Sequence, residues 1–414
     1  MKILHVVQNY HPSVGGTQLL FKQLSEKLVK DYKDEVTVFT TNSYYGPHKK
    51  EFKEIEIDCE TINGVRIQRF HFYRFLNKLI DIFFIFSKKV SIPISEKLIA
   101  LRTGPWSPSL KRQIQNGNFD IVCASSSHYL YMNYPLWRYK SGKPKPFVFM
   151  GALHLEQLPE NDFIPKKLLK SIQLSDAYIA NTSFEKKRLV KLGISDAQIN
   201  VVGCGVDVHK FETNEAVAFK KKNQIENKLV IGFFGRQEKT KGIPILLRAF
   251  ETLAKDNDDI VLLIAGGETK YTTEMKHTIA SFPSNIKSRC LCVSNVDENE
   301  KKDIFNAIDI FVSVSQAESF GIVFLEAWAC KKPVIGANIG AVASVISHGY
   351  DGYLINANDV NDLTSHLQKL ISNEQIRVEM GQNGYKKVNE NYTWDIVTNK
   401  YRSIYSEAVK NFYV

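Results

Sequence analysis

None of the six cysteines stands at CxxC spacing from another, and no histidine cluster lies near them, so the chain carries no recognisable zinc-site pattern. Scattered at 59, 123, 204, 290, 292 and 330, they read as buried, reduced thiols. No apolar run reaches the roughly 20 residues that a membrane-spanning helix needs. A Walker loop, a Gly-X-Ser-X-Gly elbow and the GxGxxG fingerprint are all missing, which argues against P-loop NTPases, α/β-hydrolases and dinucleotide oxidoreductases. There is no repeat at a solenoid period and no low-complexity tract. The opening MKILHVVQNYHP lacks the long apolar core and small-residue cleavage site of a signal peptide. It is expected to form a first buried strand, and the protein is expected in the cytoplasm.

What the chain does have is alternation. Short apolar runs (KILHVV, EVTVFTT, FDIVCAS, PFVFMGA, DAYIANT and INVVGCG) are separated by amphipathic segments such as TQLLFKQLSEKLVKDY. Continuous apolar strands between helices imply parallel sheets covered on both faces. A lysine-rich stretch, KKKNQIENK, interrupts the pattern. It then restarts with LVIGFFG, PILLRAFETLAKD, IVLLIAGG, RCLCVSNV, a helix over 299–307, DIFVSVS, KPVIGAN and GYLINAN. At 414 residues, two cores are expected rather than one. The chain therefore reads as α/β: two Rossmann-like, doubly wound parallel-sheet domains facing a central cleft. They are expected over 1–205 and 206–390, with 391–414 a helix packing back on the first. In such sheets ligands bind outside the carboxyl ends of the strands, so residues directly after strands are the candidates. The formal net charge of +10 favours an anionic partner without choosing among nucleotide, nucleic acid and acidic membrane. No nucleic-acid-binding module is recognisable.

Four stretches carry candidate chemistry. In HPSVGGTQLL, Gly15 and Gly16 either let a phosphate approach the backbone at a helix start or make a tight turn. GFFGRQEKTKGIPILLRAF sets Arg236 and Lys241 in one loop between a strand and a helix with Pro244 in its first turn. Two cations at a helix N-terminus oppose its dipole unless an anion lies between them, which points to a diphosphate. QAESFGIVFLEAWACKKPVIG places Glu318 and Glu326 either side of an apolar run. On one continuous helix they would be offset by about 80°. Glu318 is therefore expected on a turn, Ser319 as the N-cap, Gly321 open to a ligand and Glu326 inside the helix. Carboxylates beside an anion site make sense if they accept from hydroxyls, hence a ligand carrying both phosphate and sugar. His154, in FVFMGALHLEQ, follows a strand and is either an ordinary structural histidine or an active-site one. DNDD at 256–259 reads as a solvated turn, and no catalytic metal is expected.

The combined pattern resembles the family 4, or group 1, retaining glycosyltransferases of the GT-B fold. In the first half the resemblance rests on HPSVGGTQ, INGVRIQRF, SPSLKRQIQNGNFDIVCASS and ANTSFEKKRLVKLGISDAQINVVGCGVD. In the second it rests on GRQEKTKGIPILLRAF, IAGGE, SVSQAESFGIVFLEAWACKKPVIGANIGAVASVI and GYDGYLI. The Glu-X7-Glu block enclosing Phe-Gly is the most specific signal. The resemblance implies transfer of a sugar from a nucleoside-diphosphate sugar, UDP- or GDP-linked, to a glycan or lipid-linked acceptor in surface polysaccharide or glycoconjugate biosynthesis. It implies retention of configuration, with neither a metal nor a further cofactor. By the same resemblance, Arg236 and Lys241 hold the donor diphosphate and Glu318 accepts from donor sugar hydroxyls. The amides around Phe320 and Gly321 face sugar and phosphate, and Glu326 binds the ribose. Gly16 lies near the phosphates or acceptor, His154 contacts the transferred sugar, and backbone near Val293 and IAGGE meets the base. Two positions depart from the family pattern: Ser344 stands where an acid is frequent, and Cys204 replaces the Asn of NGVD.

RFHFYRFLNKLIDIFFIFSKKVSIPISEKLIALR, residues 69–102, mixes aromatic and apolar residues with Arg and Lys. It reads either as core packing in the first domain or as a face lying on the anionic inner surface of the cell membrane, which would suit a lipid-linked acceptor. The competing functional readings are a nucleotide-cofactor oxidoreductase and an inactive sugar-nucleotide-binding protein.

Overall fold

The computed structural model describes residues 1–13, 15–45, 52–71, 82–83, 86, 107–125, 130–140, 143–153, 165–212 and 216–414. Met1–Leu153, Leu158–Val202 and Thr398–Val414 gather into one unit, and Gly203–Val397 into a second. Each is built on its own sheet.

In the first unit, β1 (Lys2–Val6) pairs in parallel with β2 (Glu35–Thr41) on one side and β7 (Ile121–Ser125) on the other. Beyond β7 follow β8 (Phe147–Met150), β9 (Ala177–Ala180) and β10 (Ile199–Val201). Beyond β2 come β6 (Val65–Phe70) and the edge strand β5 (Cys59–Ile62). The central runs are buried on both faces, as continuous apolar strands require. One element departs from the expected parallel pattern: β5 runs antiparallel to β6. Asn63 and Gly64, both at positive φ (49° and 81°), join the two, and such a pair makes the tight two-residue hairpin turn. A short ribbon, β3 (Ser43–Tyr45) with β4 (Phe52–Glu54), lies outside the main sheet.

The terminal helix Trp394–Phe412 contributes its residues from Thr398 onward to this first unit. Arg402 bonds Asp34 at 2.9 Å, and Asp34 also takes the N-terminal ammonium of Met1 at 2.7 Å. His5 is wholly buried, its Nδ1 bonded to Ser25 Oγ at 2.7 Å and its Nε2 to the Tyr405 hydroxyl at 3.1 Å. Burial lowers the His5 pKa from 6.5 to about 3. The unfolded chain thus takes up a proton that the folded chain refuses. The resulting stability is complete above pH 6.5 and is lost as pH falls toward 3, at about 1.4 kcal/mol per pH unit. Urea midpoints of this unit should fall below pH 6.5 in the wild type and fall less steeply in His5→Gln.

Arg69 and Phe70 belong to β6 and are buried; the Arg69 guanidinium pairs with Glu60 and donates to the carbonyls of Ile57 and His11. The start of the aromatic, basic stretch is therefore sheet. Its remainder, apart from His71, Ile82, Phe83 and Phe86, lies outside the described residues. No described helix is long and apolar enough to cross a membrane.

The second unit holds six parallel strands: β11 (Leu229–Phe234), β12 (Ile260–Gly266), β13 (Cys290–Ser294), β14 (Ile310–Ser313), β15 (Val334–Ala337) and β16 (Gly352–Ile355). Their spatial order is β13-β12-β11-β14-β15-β16, the doubly wound arrangement. Helix Ile243–Leu253 lays Ile243, Leu246, Leu247 and Phe250 on the sheet, the i, i+3, i+4, i+7 spacing of one face. Leu363, Leu367 and Leu370 of helix Val360–Ser372 join the same core. The helix expected over 299–307 begins at Lys301 and ends at Ala307.

Candidate active site

Strand order in the second unit reverses at β11. The strands β12 and β13 lie to one side and β14, β15 and β16 to the other. The loops leaving the carboxyl ends of β11 and β14 diverge there, and a crevice of this kind is where open α/β sheets bind ligands. Arg236 and Lys241 lie in the first loop and Glu318, Phe320 and Gly321 in the second.

Main-chain contacts stitch the two loops together. The Gln316 N–H donates to the Thr240 carbonyl at 2.9 Å. Gly242, at φ 81°, abuts the segment after β14 so closely that a Cβ would lie 2.4 Å from the Val314 carbonyl oxygen. Lys241 closes a single 3-10 turn, and Gly242 caps the helix that follows. The stitch brings Lys241 Nζ to Glu318 Oε1 at 2.5 Å, while Arg236 pairs with Glu238 of its own loop. The anions beside both cations are thus the protein's own carboxylates, which modifies the inference from unbalanced charge. These pairs are reachable from solvent: the side chain of Arg236 is 40% exposed and that of Lys241 21%. Pairs of this kind are worth about 0–1 kcal/mol, little enough for a multiply charged ligand to exchange with them.

Glu318 lies in the irregular loop after β14, outside any helix, and Glu326 lies within helix Ile322–Ala329, as the spacing predicts. The cap differs. Gly321, at φ 92°, is the N-cap, and Ser319 lies two residues outside. The backbone must pass through the left-handed region there, which favours glycine over a hydroxyl cap. Phe320 is buried against the Tyr392 ring, so only its backbone is available to a ligand. Val293, in β13, pairs with Ala265 of β12. The loop ends of these strands are tied by Asn295, whose N–H donates to the Gly266 carbonyl at 2.7 Å and whose Oδ1 accepts from Glu268 N–H at 3.2 Å.

Glu326 is 4% exposed and pairs through Oε1 with Lys301 Nζ. Its Oε2 is buried with no hydrogen-bond partner. Burial pushes the Glu326 carboxyl up, and the Lys301 ammonium only partly offsets this. On Lys301 burial pulls the other way, but Glu326 and Glu298 outweigh it and hold the ammonium up. Gln237, immediately after Arg236, is also buried, with neither side-chain amide atom partnered. Sequence reasoning missed Lys301, Gln237 and Glu238. Lys301 sits in ENEKKDIF, whose composition is that of a solvated surface, and nothing local marks it as buried.

Two sequence candidates stand apart. Gly16 is the first residue of helix Gly16–Tyr32 in the first unit, capped by Gly15. His154 lies outside the described residues. Asp256–Asp259 form a turn, and among the described residues no three His, Cys, Asp or Glu side chains gather as metal ligands.

Residues 215–387 match the sequence profile of the group 1 glycosyl transferases, and residues 14–210 that of glycosyltransferase family 4. A D-inositol 3-phosphate glycosyltransferase of Rhodococcus jostii is 28% identical over 244 residues, 58% of this chain and 54% of that protein. The capsular polysaccharide biosynthesis glycosyltransferase CapM of Staphylococcus aureus is 25% identical over 278 residues, 65% of this chain and 72% of that protein. The matched part spans about half the length of the D-inositol 3-phosphate glycosyltransferases, 54% in the first of them. Among solved structures, Anabaena HepE in complex with UDP and glucose superposes with a TM-score of 0.71 at 17% identity, covering 98% of this chain and 99% of that one. A trehalose-phosphate synthase from Burkholderia xenovorans superposes with a TM-score of 0.73 at 10% identity, covering 98% and 100%. These likenesses establish the GT-B fold, and the two profiles between them take in both halves of the sequence: the chain belongs to the group 1, family 4, glycosyltransferases.

Proposed function

We propose that the protein transfers a sugar, with retention of configuration and without a metal, from a nucleoside-diphosphate sugar to a glycan or lipid-linked acceptor. The observation that carries this reading is the convergence of Lys241 and Glu318 on adjacent strand ends where the sheet order reverses. Cleavage of a sugar–diphosphate bond leaves negative charge on the phosphate and positive character on the sugar. Arg236 and Lys241, already held in place, stabilise the departing diphosphate without reorganising, which is the role a metal would otherwise fill. Glu318, once exchanged from Lys241 by the diphosphate, accepts from sugar hydroxyls and fixes the orientation of the reacting carbon. Neither Glu318 nor Glu326 is required as a nucleophile if the acceptor attacks from the face the phosphate leaves, with that phosphate taking the acceptor's proton. In this reading Gly16 serves the phosphates or the acceptor, and His154 contacts the transferred sugar. The polysaccharide setting is supported by the likeness to CapM.

The test is to incubate the protein with a panel of UDP- and GDP-sugars, with and without EDTA, and to measure released nucleoside diphosphate. Release from at least one donor, undiminished by EDTA and with the anomeric configuration retained by NMR, is the expected result. Turnover with none, together with thermal stabilisation by NAD, would favour the oxidoreductase reading instead.

A further inference from the structure

The ion pair of Lys301 with Glu326 leaves one group unused. Oε1 of Glu326 takes the lysine, but Oε2 is sealed from solvent with no donor. A buried carboxylate oxygen without a partner is destabilising and calls for a ligand or water that donates to it. The place of Lys301 is also specific. Its ammonium lies 5.2 Å from the centroid of the Phe234 ring, and Phe234 ends β11 directly before Gly235 and Arg236. As the first residue of helix Lys301–Ala307 it opposes the helix dipole, so helix stability does not account for a lysine here.

We propose that Lys301 is a positioning residue for the ribose of the nucleotide: it fastens one oxygen of Glu326 and leaves the other to accept from the vicinal diol. This rests on the donor-site reading above. The charged surroundings of Glu326 are few. Glu298, from the turn before the Lys301 helix, and Lys210, from helix Val208–Phe211, pair with each other at 2.8 Å. Cys330, the C-cap of the helix that carries Glu326, donates its N–H to the Glu326 carbonyl at 3.3 Å. Lys387, from the adjacent helix Glu374–Asn391, is committed to Asp351. Without Lys301, burial and Glu298 both push the Glu326 carboxyl up, opposed by Lys210 alone. It then protonates at higher pH and no longer accepts fully from two hydroxyls.

The test compares affinities for UDP and GDP with those for their 2′,3′-dideoxy forms, from pH 6 to 9, in wild type, Lys301→Met, Lys301→Arg and Glu326→Ala. The wild type is expected to prefer the ribonucleotide by about 10- to 100-fold, the range for a hydrogen bond to a charged group. In Lys301→Met the preference should be weaker and should rise with pH, and Lys301→Arg should keep the wild-type behaviour. An unchanged affinity for the dideoxy form serves as the folding control. A wild-type preference in Lys301→Met at all pH values would overturn the role, as would a loss that neither high pH nor arginine restores. Equal wild-type affinity for both forms would overturn it too. Failure of the wild type to bind any nucleoside diphosphate would instead remove the donor-site reading beneath it.

Discussion

Lys241→Ala should slow nucleoside diphosphate release by about 10²- to 10³-fold, the usual effect of removing one fixed group that stabilises developing charge. The expectation follows from the partly exposed position of the Lys241–Glu318 pair. Its side chains are 21% and 16% exposed, so breaking it removes about 1 kcal/mol of stability at most. The melting temperature should therefore scarcely move while activity collapses, and that disparity separates a role in chemistry from one in folding. Lys241→Arg should be intermediate, because a planar fork cannot occupy the position of a compact ammonium between two loops. Glu318→Gln should lose activity with a comparable lack of effect on stability. The Lys241→Ala/Glu318→Ala double variant should lose less than the sum of the two, as expected of groups that act together. Equal losses of stability and activity in the single variants would mark the pair as structural.

Gly266→Ala should be strongly damaging to the second unit for so small a change. At φ 127° the backbone there is one that only glycine adopts readily. A Cβ would also lie 2.1 Å from the carbonyl oxygen of Gly235, with that residue's backbone C and N at 2.8 and 2.9 Å. No rotamer relieves a clash with main chain. Strain and overpacking together should cost about 2–5 kcal/mol. For a unit of this size that lowers the melting temperature by about 5–15 °C. Gly235 precedes Arg236, so what moves is the loop that carries the cation proposed to hold the diphosphate, and nucleotide affinity should fall with stability. Gly349→Ala is the control. It too has a positive φ, 79°, but nothing lies within 4 Å of its added carbon, so only the backbone term of about 1 kcal/mol remains. Calorimetric scans of the two variants with and without nucleotide would decide the matter.

The alternation of apolar runs and amphipathic segments made the two sheets legible, because a strand buried on both faces has no other composition open to it. The placement of Glu318 outside the helix and Glu326 within it followed from their eight-residue spacing alone. The cap did not. Ser319 has the better local propensity, but the chain's path into the helix requires a left-handed residue, and only Gly321 supplies it at low cost. The antiparallel edge strand was hidden in INGVRI, where the Asn-Gly pair is the sole local mark of a hairpin. Least legible were the partners of the charged groups. Lys241 and Glu318 are 77 residues apart, and Lys301 and Glu326 are 25 apart. Such meetings depend on which strands neighbour one another and on the register of their loops, which no local pattern encodes. The lone pairs and cations at the strand ends were readable as candidates for a ligand, but not as groups already engaged with each other.

The most direct test is a crystal structure of the protein with UDP or GDP bound. The account expects the diphosphate in the loops after β11 and β14, with nitrogens of Arg236 and Lys241 at about 2.7–3.2 Å from its oxygens and Glu318 released from Lys241. Clear density for the nucleotide elsewhere, with Arg236 still on Glu238 and Lys241 still on Glu318, would contradict it.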